Sequence, residues 1–89
     1  MTPSPGSNDH DRYVRIQTKF IAALTAKGYP LPITPQTKMS DLNPSLVPIV
    51  RLINKTFFPD NRFTTGMISP SDTIQNVSLQ ILHLDPPKV

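Results

Sequence analysis

The chain has 89 residues, a formal net charge of +3, no cysteine and no glutamate. This length suits one small core, and the lack of cysteine excludes a disulfide scaffold, a thiolate zinc site and a cysteine nucleophile. No apolar run approaches the roughly 20 residues that cross a bilayer, and the amino terminus lacks the basic and apolar regions of a signal peptide, so we expect a cytoplasmic protein.

The first predicted helix spans residues 9–27 and follows a flexible segment at residues 1–8. Asp9 and Asp11 suit the positive end of the helix dipole, and Gly28 is a natural stop. Apolar residues recur at intervals of three and four, as they do on the buried face of a helix. These residues are Tyr13, Ile16, Phe20, Ile21 and Leu24.

A long loop is predicted between the first and second helices, at residues 29–43. This segment contains Pro30, Pro32 and Pro35 and has no sustained apolar period, so it should hold at most a brief turn. Its apolar residues are expected to fix it to the core. They are Leu31, Ile33, Met39 and Leu42. No internal repeat is predicted.

The second main helix is predicted to run from Leu46 to Phe57, with Ser45 as its N-cap. An α-helix leaves the N–H groups of its first turn without intrahelical partners, so Pro48 requires an N-cap at Ser45 or later. The hydroxyl of Ser45 would then stand at the start of the helix, in reach of solvent or of a partner enzyme. A serine in this position can also be no more than a cap.

The last helix is predicted at residues 70–83. Ser69 would be its cap, Pro70 its first helical residue and Asp72 an acid in its first turn. Asp85-Pro86-Pro87 would end it, because two successive prolines do not continue a helix.

Together these elements predict an all-α fold, a small bundle of three or four helices at residues 9–84, with a tail at residues 85–89. A single further turn is expected near Gly66. The inner stripes of the three main helices are expected to meet in one core. The predicted members of this core are Ile16, Phe20, Leu24, Leu46, Ile49, Ile53, Val77 and Ile81.

The order of these elements, over residues 13–82, resembles that of acyl carrier proteins and peptidyl carrier domains. The most specific likeness is Asp41-Leu42-Asn43-Pro44-Ser45-Leu46, which is similar to the family's Asp-Leu-Gly-x-Asp-Ser-Leu with one residue missing. Ile33-Thr34-Pro35-Gln36-Thr37-Lys38-Met39 is similar to the loop that precedes this motif in the family. Asp72-Thr73-Ile74-Gln75-Asn76-Val77 is similar to the threonine-led opening of the family's last helix.

The resemblance implies that Ser45 takes 4′-phosphopantetheine, donated by coenzyme A and attached through a phosphodiester. The domain would then carry an acyl or aminoacyl thioester for a specialised pathway of polyketide, peptide or lipid biosynthesis, and would not itself be an enzyme. The thiol belongs to the prosthetic arm, which explains how a chain without cysteine could carry thioesters. The implied partners are a phosphopantetheinyl transferase and acyl-processing synthase enzymes, and we expect a monomer.

The serine-headed helix differs in charge from the family it resembles. It carries Arg51 and Lys55 and no acid, whereas the family is typically acidic on this helix. We therefore expect a dedicated partner, with an acidic or apolar surface, that contacts Leu46, Arg51 and Lys55.

Two other classes of function remain open. A helical protein-interaction module would use the fold without a prosthetic group. A basic nucleic-acid-binding domain is favoured by the charge but opposed by the dispersion of the basic residues along the chain. No carboxylate pair, nucleophile–base set or glycine-rich phosphate loop predicts an enzyme. His10 and His83 have no partner at ligand spacing, so no metal site is predicted.

Overall fold

The computed structural model describes residues 8–30 and 32–87, and this part of the chain is helical, without strands. Its elements are the helices α1 (Asn8–Ala26), α2 (Met39–Leu42), α3 (Val47–Phe57) and α4 (Ile74–His83), with a 3₁₀ turn at Thr65–Met67. The predicted all-α bundle is therefore confirmed, as is the single turn near Gly66. Of the segment predicted to be flexible, residues 1–8, all but Asn8 lies outside the described residues.

Helix α1 ends in a Schellman motif centred on Gly28. The Gly28 N–H donates to Thr25 O (3.0 Å), and the Tyr29 N–H donates to Leu24 O (3.3 Å). Gly28 has a φ of 90°, in the left-handed region that this motif requires. The motif turns the chain out of the helix and fixes Tyr29 beside the last turn of α1.

Replacement of Gly28 by alanine should destabilise the domain by about 1–2 kcal/mol, because a Cβ disfavours the left-handed conformation. A Cβ built at Gly28 meets no atom within 4 Å, so the loss would reflect backbone strain alone. Gly66→Ala is the matched control, since its Cβ would lie 3.9 Å from Thr64 Oγ1, at ordinary contact distance. Urea unfolding of both variants checks this expectation, and equal midpoints would contradict it.

Two segments, residues 33–42 and 68–77, each consist of a turn followed by the start of a helix, and the two turns are alike although no internal repeat was predicted. Each begins with an isoleucine, a hydroxyl residue and a proline. The equivalent backbone bonds are Thr37 N–H to Thr34 O (3.0 Å) and Asp72 N–H to Ser69 O (3.0 Å). In each turn the side chain of the last residue accepts from the first N–H. These bonds are Thr34 N–H to Thr37 Oγ1 (3.0 Å) and Ser69 N–H to Asp72 Oδ2 (2.8 Å).

The two turns pair with each other about a local twofold axis. Four backbone bonds join them: Met39 N–H to Asp72 O (2.9 Å), Ile74 N–H to Thr37 O (2.9 Å), Ser40 N–H to Pro70 O (3.0 Å) and Gln75 N–H to Pro35 O (2.9 Å). Lys38 and Thr73 form an antiparallel bridge between them. The donors are the first residues of α2 and α4, whose N–H groups have no intrahelical partners. Each turn therefore completes the start of the other segment's helix, which explains how the four-residue α2 persists.

The predicted start of the last helix is wrong. Helix α4 begins at Ile74, and its N-cap is Thr73, whose Oγ1 accepts from the Asn76 N–H at 3.2 Å. The carbonyls of Pro70 and Asp72 accept from α2, so the residues around them form a turn rather than helix. The threonine-led opening on which the resemblance drew is where α4 begins.

Helix α3 ends at Phe57, as predicted, and the chain then folds back on it. The buried side chain of Asn54 donates from Nδ2 to Phe63 O (2.9 Å) and accepts from the Phe63 N–H at Oδ1 (3.0 Å). The rings of Phe58 and Phe63 stack with centroids 6.0 Å apart, and Arg62 Cζ lies 5.5 Å from the centroid of the Phe58 ring. One polar side chain thus holds the loop after α3 against the core.

Helix α1 packs against both α3 and α4, and the buried residues form one core cluster. Seven of the eight predicted core residues are buried in it, and the eighth, Leu46, is partly buried against it. The core also includes residues outside the predicted set. They are Ile33, Met39, Leu42, Val50, Leu52, Phe57, Phe58, Phe63, Ile68 and Ile74.

The chain after α4 contacts α1 at the start of the predicted tail. Arg12 Nη2 lies 2.7 Å from Asp85 Oδ1 and donates to Pro86 O at 3.2 Å, and Pro86 is buried. Residues 88 and 89 lie outside the described part of the chain. Arg12 therefore ties the two ends of the described chain together.

Candidate functional site

Ser45 lies on an exposed bend between α2 and α3. Its N–H donates to Asn43 Oδ1 at 2.9 Å, and its Oγ accepts from the Val47 N–H at 3.3 Å. Side-chain bonds of asparagine and serine to nearby backbone fix such bends locally. The serine is thus held at the start of α3 while its hydroxyl stays open to solvent.

The prediction that Ser45 is the N-cap of this helix is wrong by one residue. The N-cap is Leu46, whose carbonyl accepts the first helical bond, from the Val50 N–H at 2.9 Å. The turn closed by Asn43 holds the Ser45 backbone immediately before the helix, and Leu46 already has helical dihedral angles (φ −80°, ψ −17°). Pro48 occupies the second helical position, in agreement with the requirement that the N-cap be Ser45 or a later residue.

The bend that carries Ser45 is joined to the end of α1. Asn43 uses its Oδ1 to accept from Ser45 and its Nδ2 to donate to Tyr29 Oη at 3.4 Å. The Schellman motif of α1 fixes the backbone of Tyr29 in turn. Because Asn43 bonds both residues, the position of Ser45 depends on α1 as well as on α3.

The Ser45 hydroxyl keeps its proton available. Within residues 8–30 and 32–87 its Oγ acts only as an acceptor, so the O–H donates to no described group. It stands beside the amino-terminal end of α3, where the helix dipole favours negative charge. An exposed hydroxyl with a free proton can be esterified.

A groove of about 260 Å³ opens between the end of α1 and the outer face of α3. It is lined by Lys27, Tyr29, Pro48, Arg51, Leu52 and Lys55. We call this surface the basic groove. A second concavity of about 430 Å³ shares Lys27, Leu52 and Lys55 with it and adds Ala23, Ala26 and Thr56. The two concavities therefore adjoin at these three shared residues.

The charge of the basic groove is entirely positive. Its lining contains three cations and no carboxylate. In the described part of the chain the ion pairs join Arg12 to Asp85 and Arg62 to Asp60, so none involves a cation of the groove. The groove therefore offers charge that no described side chain neutralises.

The structure brings two of the three predicted partner-binding residues, Arg51 and Lys55, into this groove. Both are exposed, whereas Leu46 packs partly against the core. Val47, which is 47% exposed, stands one turn before Arg51 on the same row of α3. The spacing of four residues could have identified Val47 from the sequence as a neighbour of Arg51 on the exposed face of α3. No sequence signal placed Lys27 beside α3.

Two other kinds of feature are absent from the described residues. They contain no group of three or more His, Cys, Asp or Glu side chains that could hold a metal ion. No helix among them is long and apolar enough to span a membrane.

Comparison of the chain with protein-family models, with curated proteins and with solved structures gives no match.

Proposed function

We propose that this domain is an acyl or aminoacyl carrier whose Ser45 bears 4′-phosphopantetheine. The observation that carries the proposal is the Ser45 hydroxyl, exposed and held at the start of α3 with its proton free. A carrier needs such a hydroxyl on a rigid support and no catalytic base of its own. The order of helices and the motif around Ser45 support the same function.

The proposed modification is a phosphoryl transfer to Ser45. Its Oγ would attack the phosphorus next to pantetheine in the pyrophosphate of coenzyme A, forming a new O–P bond. The P–O bond to the other phosphate breaks, adenosine 3′,5′-bisphosphate leaves, and the serine proton passes to a base of the transferase. When bound, the arm supplies the thiol that forms thioesters. The start of α3 and the nearby cations would favour the charge of the phosphodiester.

The proposed partners are a phosphopantetheinyl transferase and acyl-processing synthase enzymes. Arg51 and Lys55 would repel enzymes whose docking surfaces are basic. The carrier would therefore act with partners that present acidic or apolar surfaces, in a specialised biosynthetic pathway.

Intact mass after incubation with coenzyme A and a promiscuous transferase tests the proposal. The parent should gain one phosphopantetheine mass, and Ser45→Ala should gain none. Ser40→Ala is the matched control, since Ser40 is exposed on α2 and close in sequence, and it should be modified like the parent. Loss of the Ser45 Oγ bond to Val47 should lower stability by only about 1 kcal/mol, so the variant remains folded.

Failure of several transferases to modify the folded parent would refute the carrier function. A mass gain that persists in Ser45→Ala would assign modification to another residue and refute the site.

A second function, a protein-interaction module without a prosthetic group, is favoured by one observation. The basic groove offers three unneutralised cations around apolar side chains, which suits a protein ligand whether or not Ser45 is modified. An unmodified parent that still binds its partner through this groove would support the second function.

A further inference from the structure

We propose that the basic groove binds an acidic amphipathic segment of a partner protein. The segment would place apolar side chains on the floor of the groove and carboxylates against its three cations. This inference does not depend on the modification of Ser45, and the unmodified protein can test it.

The first argument is charge complementarity. Lys27 lies one residue after the end of α1, and Arg51 and Lys55 lie on α3, so cations from two separate segments line the groove. None of them forms an ion pair within the described chain. Opposed cations with no acid between them repel each other, and carboxylates from a partner would relieve that repulsion.

The second argument is the chemistry of the floor. Leu52 is only 7% exposed and lines the groove together with Tyr29 and Pro48, so these side chains present apolar surface among the cations. The adjoining concavity is lined by Ala23 and Ala26, whose small side chains leave room for larger ones. A floor of this kind binds apolar side chains and offers few polar partners, so charge alone does not describe the ligand.

The third argument is spacing. Arg51 and Lys55 are four residues apart on α3, which separates them by about 6 Å along the helix axis. Acidic residues four apart on a docking helix have the same separation, so both pairs can form at once. Val47 extends the row with an exposed apolar side chain, 47% accessible. A helix with acids flanking an apolar stripe therefore matches the groove in charge, in shape and in the spacing of its charged residues.

Nucleic acid fits the groove less well. A protein that binds nucleic acid through the backbone typically contacts about 6–10 phosphates, whereas this groove has three cations. Its apolar floor offers no favourable contact to a phosphate backbone.

The groove also includes Pro48, three residues after Ser45. A protein bound there would therefore lie beside the serine.

Fluorescence anisotropy with a labelled helix-forming peptide tests the proposal. The peptide carries leucine on one face and glutamate pairs four residues apart beside it. The unmodified parent should bind it, and Arg51→Gln with Lys55→Gln should weaken binding by roughly 5- to 20-fold. The matched control is Asn76→Asp with Gln80→Glu, which has the same spacing on α4 and the same net charge change of −2. This control should bind like the parent.

Three comparison ligands complete the design. A peptide with lysine in place of glutamate, an acidic peptide with serine in place of leucine, and duplex DNA should each bind at least 5-fold more weakly than the acidic amphipathic peptide. Amide shifts in the parent should localise the peptide to Tyr29, Leu52 and their neighbours. Equal binding by both double variants, equal binding by either altered peptide, or tighter binding of DNA would overturn the proposal.

Discussion

Replacement of Phe20 by alanine is expected to lower the free energy of unfolding by about 3–5 kcal/mol. Phe20 lies in the middle of α1 and is 0% exposed, within the core that α1 forms with α3 and α4. Its removal takes away the burial of a whole ring and leaves a cavity that a packed core refills only in part. A domain of this size has a total stability of only about 4–13 kcal/mol, so this loss is a large fraction of the total.

Urea unfolding followed by circular dichroism measures this effect. Val14→Ala is the matched control on the same helix, since Val14 is 45% exposed. Its free energy of unfolding should stay within about 0.5 kcal/mol of the parent's. If Phe20→Ala fails to fold, Phe20→Leu should still fold with a smaller loss. Phe20 and Val14 variants of equal stability would show that the buried face of α1 is misassigned.

Asn54→Ala is expected to destabilise the domain by about 2–4 kcal/mol, the second largest effect. Asn54 is only 7% exposed, and its amide satisfies both the N–H and the C=O of the buried Phe63. Alanine would leave both backbone groups buried without partners, and each such group costs about 1–3 kcal/mol. The loop after α3 should lose its attachment to the core, although α3 itself gains helix propensity.

Hydrogen exchange and urea unfolding together check this prediction. The Phe63 amide should exchange much faster in Asn54→Ala than in the parent. Asn76→Ala is the control, because this exposed asparagine on α4 makes no side-chain bond to a described residue, and its loss should change stability by less than about 0.5 kcal/mol. Unchanged protection of Phe63 would contradict the role assigned to Asn54.

The sequence predicted the main helices because their signals are local. The apolar period of α1 and the glycine at residue 28 act within a few residues of each other, and they defined the helix to within one residue at each end. Pro48 limited where α3 can begin for an equally local reason, since proline lacks an N–H. The carrier resemblance led to Ser45, and the structure holds that serine exposed at the start of α3.

The errors arose where a distant segment supplies the hydrogen bonds. Ser69 and Pro70 carry the signals of a helix start, but the carbonyls of Pro70 and Asp72 accept from α2, and α4 begins only at Ile74. A propensity computed along the chain contains no term for such partners.

The sequence by itself therefore determined the all-α class, the stripes that form the core, and the position of Ser45 near a helix start. Only the tertiary structure decided the pairing of the two turns, the hydrogen bonds between the Asn54 side chain and the Phe63 backbone, and the basic groove. Each of these joins residues far apart in the chain: Lys27 meets Arg51 and Lys55 because α1 packs against α3. Burial of an apolar stripe fixes that packing, and the charges on the exposed sides of the two helices are brought together as its consequence.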